Sequence, residues 1–273
     1  MKISVVTAYY NRRALFLRTL RTIAASSLAA SVEVIAVDDA SRDEERIEDL
    51  GGLTGLDMTV VRIDPREKWW RNSCIPFNRG FNLATGDIVV LQNPECLHLG
   101  DVIAAVAENV VPGRYVNFAC YSVDEPTTRR LHAVDPASTT WQSSARAALE
   151  PIAQRATVDD GESAWYNHSV HKPTKYHFCA ALHRSDLESL GGFDERYANG
   201  IAFDDNDWLT RVTRMGLDIR TIDDPFVVHQ YHGKTNYGAN LPYFHRNKAL
   251  YENVTLKEKG HRVYSRCFPC FDA

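Results

Sequence analysis

Short apolar segments alternate with amphipathic segments through the first half of the chain, and this order constrains the fold more than any other feature. Segments with the length and composition of strands fall at 2–7, 32–38, 58–63, 87–91 and 115–120. Segments with helical spacing fall at 12–25, 43–50, 75–84 and 100–110. Strands that alternate with helices are typical of a largely parallel sheet sandwiched by helices. We therefore expect an α/β fold.

The remainder of the chain is predicted to belong to the same domain. The 273 residues, with 44% hydrophobic and 24% charged side chains, fit one large globular domain with a substantial core. The apolar pattern weakens over 122–175, which we interpret as an insertion. Later helices are predicted at 185–190, 204–215 and 240–259, and short strands at 218–222 and 226–229. We expect a single domain, 1–273, with parts 1–121, 122–239 and 240–273.

Charge and composition restrict the partners. A net charge of −4 gives no general attraction to nucleic acid or to an anionic membrane. No apolar run has the length of a transmembrane helix, and the first predicted strand directly follows Met1 and Lys2, which leaves no room for a signal peptide. We expect a cytoplasmic protein, or one that is peripheral at a membrane. Cys267 and Cys270 have metal-site spacing, but a lone pair cannot fill a four-ligand zinc site, so structural or incidental cysteines are favoured.

Polar residues follow three of the predicted strands. They are residues 7–11, Asp38 with Asp39, and residues 92–95. In open α/β sheets, ligands bind at the carboxyl ends of the strands, so these residues are expected at one edge. Asp38 and Asp39 also suit a helix cap, a role that we assign to Ser41.

Several collinear motifs resemble the inverting family 2 glycosyltransferases. The motifs are Ile3 to Arg12, Val34 to Ser41, Asn78 to Leu91, and Gly191 to Glu195 followed by Asp204 to Asp207. The order of the motifs, not any single one, carries the resemblance. It implies the GT-A fold, a Rossmann-like and mostly parallel sheet flanked by helices, with an elaborated C-terminal region on the acceptor side. It also implies transfer of a sugar from a nucleoside diphosphate sugar to a saccharide or related hydroxyl acceptor.

The resemblance assigns nucleotide contacts to the ends of the first two strands. Thr7, Tyr9 and Asn11 match the positions near the base and ribose, although an extra residue leaves Tyr9 and Tyr10 hard to separate. Asp39 can accept the imide N–H of uracil, so a UDP-sugar is the expected donor. The alternative is that Thr7 only ends a strand and the tyrosine packs in the core.

Further donor contacts are expected from basic and amide side chains. Arg71 and Lys234 are candidates to neutralise the diphosphate, and Asn78 resembles a residue that faces the nucleotide. The segment 68–71, which holds two tryptophans between two cations, is interpreted as a mobile lid or, alternatively, as a hydrophobic staple.

The motif expected to bind a metal departs from the family pattern. Where the family commonly has Asp-x-Asp, this chain has Gln92-Asn93-Pro94-Glu95, and only one carboxylate remains. By resemblance, Glu95 and His229 bind Mn or Mg, and His232 is the reserve ligand and otherwise an acceptor contact. The alternatives are a turn at Glu95 without metal and a packed His229.

The resemblance assigns Asp205 as the general base, because inversion requires the acceptor hydroxyl to lose its proton. Asp204 and Asp207 are expected to bind acceptor hydroxyls or to orient the loop, and Asp204 is also a candidate helix cap. Trp165 belongs to an aromatic and histidine-rich stretch that suits a saccharide platform or plain packing.

Two other classes of function stay open. The reduced metal motif is compatible with a nucleotide-sugar-binding module that has lost turnover. A metal-dependent hydrolase or nucleotidyltransferase is less favoured, since the sequence lacks a lysine-containing glycine loop and clustered histidines.

Overall fold

The computed structural model describes residues 1–153, 155, 162–233, 237–258, 260 and 263–268. Its strands are β1 Ile3–Tyr9, β2 Val32–Asp38, β3 Asp57–Arg62, β4 Ile88–Gln92, β5 Cys96–Leu99, β6 Arg114–Ser122, β7 Ala164–Asn167, β8 Cys179–His183 and β9 Asp218–His229. Its α-helices are α1 Arg13–Ala24, α2 Leu50–Thr54, α3 Cys74–Leu83, α4 Val102–Asn109, α5 Glu125–His132, α6 Trp141–Ala153, α7 Arg184–Leu190, α8 Asp204–Arg214 and α9 Tyr237–Leu250. Every helix in this part of the chain is too short or too polar to traverse a lipid bilayer.

The strands form one mixed sheet. Its order is β3, β2, β1, β4, β8, β6, β9, β5, with β7 beside β6. β1 is parallel to β2 and β4, and β2 is parallel to β3. β8 is antiparallel to both β4 and β6, whereas β6 and β9 are parallel. The predicted α/β architecture is confirmed, and the carboxyl ends of the first four strands meet at one edge.

Both faces of strands β1, β2 and β4 are buried, and successive strand residues point to opposite faces. Val5 packs in the same core cluster as Phe16 of α1, whereas Val6 packs with Phe77 of α3 and Trp208 of α8. Each large apolar side chain that leaves water in this way contributes on the order of 2 kcal/mol. Burial on both sides explains why these strands read as nearly continuous apolar runs.

Two predicted elements differ from the structure. The helix expected at 43–50 is a 3-10 turn, Asp43–Glu45, and the short α2 follows it. Gly51 and Gly52 lie inside α2, where glycine disfavours a longer helix. The two short strands predicted near residues 218 and 226 form the single strand β9.

The segment 122–175 contains more regular structure than its sequence pattern indicates. Helices α5 and α6 and strand β7 form here, and they build a third core cluster against β6 and β9. Leu131, Trp141, Leu149 and Trp165 are buried in that cluster. The segment is therefore packed onto the sheet.

Candidate active site

A cleft of about 610 Å³ opens at the carboxyl ends of the parallel strands. This volume lies within the usual range of small-molecule sites. The residues that line the cleft include Tyr10, Arg12, Asp39, Arg71 and Asp204. The cleft therefore gathers aromatic, basic and acidic groups from both halves of the chain.

Asp39 lies in the cleft wall and is already hydrogen-bonded there. Trp70 Nε1 donates to Asp39 Oδ1 at 2.8 Å, and Lys68 Nζ lies 2.9 Å from Oδ2. Burial raises the pKa of Asp39, although the contacts with Lys68 and Trp70 oppose that shift. Lys68 Nζ also lies 4.2 Å from the centroid of the Tyr10 ring. The Lys68 ammonium group therefore contacts both the Asp39 carboxylate and the Tyr10 ring, and the three side chains form one slot in the cleft wall.

Thr7 and Tyr9 lie in the core, away from the cleft. Both are fully buried, and the Tyr9 hydroxyl donates to the Glu45 carbonyl oxygen at 2.7 Å. Because strand side chains alternate, Tyr9 follows Thr7 into the core, whereas Tyr10 lines the cleft and is 48% exposed. The structure therefore separates the two tyrosines that the sequence could not, and it places Tyr10 at the site.

Asn11 shapes the loop after β1. Its φ of 48° is left-handed, a conformation that asparagine tolerates better than most residues. Its backbone N–H donates to Ser41 Oγ at 3.0 Å, and its side-chain oxygen accepts from the Arg42 N–H at 2.9 Å. These bonds join the loops that follow β1 and β2.

The expected donor-binding residues beyond β2 occupy different places. Arg71 lines the cleft, where its guanidinium stacks 3.8 Å from the Tyr243 ring centroid and donates to the Tyr243 hydroxyl. Asn78 is buried away from the cleft and exchanges hydrogen bonds with the backbone N–H and C=O of Phe193. Within 68–71, Trp70 is buried and Trp69 is exposed. Lys234, like Cys270, lies outside the described residues.

Glu95, His229 and His232 form a compact group of candidate metal ligands. Their ligand atoms all lie within 4.8 Å of one another. Glu95 Oε1 is 3.2 Å from His229 Nε2 and 3.8 Å from His232 Nε2. Antiparallel pairing of β5 with β9 sets Cys96 opposite His229, and the Gln230 N–H donates to the Glu95 carbonyl oxygen. Backbone pairing therefore brings these distant residues together.

The electrostatics of this group fit a divalent cation. Burial favours a raised pKa for Glu95, but the hydrogen bond with His229 and the charge of Arg12 outweigh it and hold the pKa well below its usual range. Burial, reinforced by Arg12, lowers the pKa of His232 to about 4, which leaves its imidazole neutral at neutral pH. Buried His229 Nδ1 has no hydrogen-bond partner among the described residues. One carboxylate and two imidazoles suit a transition ion such as Mn²⁺ better than Mg²⁺, which prefers oxygen ligands.

Asp205 lies at the start of α8 in contact with His177. The distance from Asp205 Oδ1 to His177 Nδ1 is 2.6 Å, and the Asp205 side chain is 31% exposed. The His177 ring is buried against Phe77, Phe193 and Trp208. Burial alone would lower the pKa of His177, but the carboxylate of Asp205 outweighs burial and raises it. The pair therefore combines a buried imidazole with an accessible carboxylate.

The neighbouring acids have different surroundings. Asp204 lines the cleft and accepts a hydrogen bond from Asn72 Nδ2 at 2.8 Å, and burial followed by the charge of Asp205 raises its pKa. It does not cap α8, because the N-cap residue is Phe203, with no side-chain cap bond. Asp207 is buried in an ion pair with Arg211 at 2.8 Å, which indicates a packing role.

The candidate metal ligands and the Asp205–His177 pair each adjoin a residue that lines the cleft. Arg12 lines the cleft together with Asp204 and lies 2.8 Å from Glu95. His177, which contacts Asp205, is followed by Phe178, whose ring centroid is 6.4 Å from that of His229. Three distant segments of the chain therefore converge here.

Trp165 lies at a different cavity, of about 510 Å³, together with His168 and His171. Its ring is buried in the third core cluster, and its Nε1 donates to the Ala153 carbonyl oxygen. The adjacent Tyr166 is exposed, and its ring centroid is 5.2 Å from that of His229. Of these two aromatic residues, Tyr166 is the one beside the metal-binding group.

Sequence reasoning gave Arg12 no role at the site. It placed Tyr166 and His177 in the aromatic and histidine-rich stretch without predicting their contacts with His229 and Asp205. Arg12 directly follows the Tyr-Tyr-Asn motif, so its position could have signalled a place at the same strand end. The position of Tyr166 depends on the pairing of β7 with β6, and that of His177 on the pairing of β8 with β4. The local sequence gives no signal for either pairing.

Comparisons with known proteins bear on the family and the fold of the chain. The sequence model of the family described as "Glycosyl transferase family 2" matches residues 4–191. No curated protein sequence gives a significant match. A solved structure of the mannosyltransferase PcManGT from Pyrobaculum calidifontis, in complex with GDP-Man and Mn²⁺, is 21% identical with a TM-score of 0.56, covering 95% of this chain and 65% of that one.

A structure of S. aureus TarS 1-349 in complex with UDP-GlcNAc is 14% identical with a TM-score of 0.58, covering 88% of this chain and 61% of that one. A structure of S. aureus TarS matches with a TM-score of 0.55 and 14% identity, covering 85% of this chain and 37% of that one. The chain thus spans less than two thirds of the length of these structures. At these identities, the likeness establishes the shared α/β GT-A fold.

Proposed function

Because the chain belongs to the family 2 glycosyltransferases, we propose that it transfers a sugar from a nucleoside diphosphate sugar to a hydroxyl group of a saccharide or related acceptor. One observation supports the proposal: the cleft is lined by Asp39, by Arg12, which contacts Glu95 of the Glu95, His229 and His232 group, and by Asp204, which precedes Asp205. A base-binding acid, a metal-binding group and a general base are what a metal-assisted inverting transfer requires.

The donor is proposed to be UDP-linked. Uracil presents an imide N–H between two carbonyl oxygens, so Asp39 can accept from the N–H while Lys68 donates to a carbonyl. Tyr10 supplies an aromatic face in the same slot. Arg71, in the cleft wall, is placed to meet the diphosphate.

Glu95, His229 and His232 are proposed to hold a divalent cation, with Mn²⁺ preferred. A cation bound there supplies positive charge for the diphosphate leaving group. The chain's own residues set its surroundings: a buried carboxylate, a neutral His232 imidazole and the guanidinium of Arg12.

Asp205 is proposed to accept the proton of the acceptor hydroxyl. The hydroxyl oxygen forms a bond to the anomeric carbon as the bond to the diphosphate breaks, so one displacement inverts the configuration and needs no covalent intermediate. His177 holds the carboxylate from the buried side, and the exposed part of Asp205 stays open to the acceptor. Alignment of these groups supplies much of the rate.

A thermal-shift screen tests the donor. Nucleoside diphosphates and their sugars, each with and without Mn²⁺, are compared for their effect on the melting temperature, because a ligand that binds the folded state raises it. We expect UDP with Mn²⁺ to give the largest shift among the nucleoside diphosphates. If no nucleotide shifts the melting temperature, the proposed function is wrong.

Replacement of the base tests the reaction. Asp205→Asn should keep the UDP-dependent shift and lower the transfer rate by about 10²- to 10⁴-fold, whereas exposed Asp57→Asn on β3 should change neither. Normal transfer by Asp205→Asn would remove Asp205 from this role. Wild-type protein that binds UDP without transfer would indicate a binding module, and cleavage of the donor without an acceptor would indicate a hydrolase.

A further inference from the structure

Arg12 lies between the metal-binding group and the cleft. Its Nη1 is 2.8 Å from Glu95 Oε2, while the two imidazoles approach the other carboxylate oxygen. The Glu95 side chain is only 4% exposed, so it needs a counter-charge, and the guanidinium supplies one. Arg12 itself is 31% exposed and lines the cleft. One side chain therefore reaches both the buried carboxylate and the donor site.

The guanidinium of Arg12 is held less firmly than that of its neighbour. Among the described residues, Glu95 is the only acid paired with Arg12. Arg13, by contrast, makes a two-pronged contact with Asp49, with both N–O distances at 2.6 Å. Arg71 is stacked on Tyr243. Arg12 can therefore turn into the cleft by breaking one ion pair.

A cation held by Glu95, His229 and His232 would lie within a few ångströms of this guanidinium. Two positive charges that close repel each other strongly in a partly buried site, and either one suffices to neutralise Glu95. We propose that Arg12 and the divalent cation compete for Glu95, and that Arg12, once displaced, binds the donor diphosphate. This inference rests on the proposed function.

The competition couples cation binding to donor binding. A diphosphate in the cleft attracts Arg12, since a guanidinium fork matches phosphate oxygens, and so frees Glu95 for the cation. By linkage, the cation strengthens diphosphate binding by the same factor.

The first test measures Mn²⁺ affinity without nucleotide, by electron paramagnetic resonance of free Mn²⁺. Arg12→Met removes the charge and keeps most of the side-chain volume, so it should bind Mn²⁺ at least about tenfold more tightly than wild type. Arg13→Met is the matched control and should equal wild type. Unchanged or weaker Mn²⁺ binding by Arg12→Met would overturn the inference.

A second variant separates charge from packing. Arg12→Lys keeps the positive charge and should stay within about threefold of the wild-type Mn²⁺ affinity. If Arg12→Lys gains as much affinity as Arg12→Met, the charge is not the cause and the inference is wrong. Circular dichroism melts establish that each variant is folded, and Arg12→Gln replaces Arg12→Met if the latter is not.

A third measurement compares UDP with uridine in the presence of Mn²⁺. Arg12→Met should weaken UDP binding about tenfold and leave uridine binding unchanged, because only UDP carries the diphosphate. Equal effects on both ligands would contradict the second role of Arg12. If wild type binds no nucleoside diphosphate, the proposed function fails, whereas the nucleotide-free Mn²⁺ titration still decides whether Arg12 competes for Glu95.

Discussion

Among single side chains, the contact between Asp205 and His177 matters most for the proposed reaction. His177 is buried among aromatic rings, so His177→Phe should fit the space while leaving the carboxylate without its partner. We expect kcat to fall about 10- to 100-fold, because a general base acts only when it is correctly oriented. The donor KM should change less than about twofold, since the contacts of His177 among the described residues are with Asp205 and with aromatic rings of the core, not with Asp39 or Arg71.

Steady-state kinetics check this expectation, and His177→Gln is the informative comparison. Glutamine keeps a hydrogen-bond donor near Asp205, so it should recover part of the lost kcat. A rise in donor KM with unchanged kcat in His177→Phe would show instead that the ring supports the donor site. Melting curves of both variants control for loss of the aromatic packing.

Sequence and resemblance predicted the polar chemistry of the site better than its aromatic contacts. Asp39, Glu95, His229 and Asp205 were all expected. Asp39 lines the cleft, Glu95 contacts both His229 and Arg12 of the cleft wall, and Asp205 follows Asp204 of the same wall. Their individual roles remain predictions. Tyr9 and Tyr10 could not be separated, because a one-residue change of register at a strand end reverses which side chain faces the core.

At the scale of elements, Asn78 connects α3 to the turn that follows α7. Its side chain bonds both backbone groups of Phe193, and a Cβ on Gly192 would lie 2.6 Å from Asn78 Oδ1. Gly192 also has a φ of 72°, which glycine adopts without strain. The Asn78 amide therefore packs tightly against the backbone of the turn at Gly192 and Phe193.

Asn78→Ala should lower the free energy of unfolding by about 2–4 kcal/mol, because it leaves two buried backbone groups without partners. Nucleotide affinity should stay unchanged, since Asn78 lies away from the cleft. Urea unfolding and UDP titration measure the two quantities. Exposed Asn253→Ala is the control, with an expected effect below about 0.5 kcal/mol. Lost affinity at normal stability would restore the nucleotide role expected from the sequence.

Elements with a strong local pattern were predictable, and elements that depend on tertiary packing were not. Six elements have strong apolar periodicity and form close to their expected bounds: strands β1, β2 and β4 and helices α1, α3 and α8. Strand β5 has only four residues after Pro94 and depends on pairing with β9. Helices α5 and α6 gain their stability from the third core cluster, so their local sequence gave a weak signal.

For the molecule as a whole, stability should fall in mild acid. His98 is fully buried, its Nε2 lies 3.0 Å from Gln92 Oε1, and burial lowers its pKa to about 4. Between its unfolded pKa of about 6.5 and this value, the unfolded chain binds a proton that the folded chain does not. This group therefore lowers the free energy of unfolding by about 3 kcal/mol as the pH falls from about 6.5 to about 4.

Urea unfolding at a series of pH values checks this expectation. His98→Gln removes the titrating ring, so the dependence on pH in this window should become shallower. His245→Gln, on the exposed face of α9, should keep the wild-type slope because its ring is solvated in both states. An unchanged slope in His98→Gln would mean that other groups govern the acid sensitivity.

The α/β fold could be predicted because alternating strands and helices mark a parallel sheet along the chain itself. The half of the sheet that contains β8, β6, β9 and β5 could not, since its neighbours are far apart in sequence. Pairings of this kind arise from tertiary packing, and short apolar segments do not reveal their partners.

The pairing of β5 with β9 has a consequence for how such proteins diversify. Main-chain hydrogen bonds fix the separation of Glu95 and His229, and they do so independently of the polypeptide that joins the two strands. Insertions or deletions in the surface loops of that joining stretch can change the surface around the cleft without changing the separation of Glu95 and His229. Under the proposed function, exchange of such a loop would alter the acceptor while the residues proposed to assist the leaving group keep their positions.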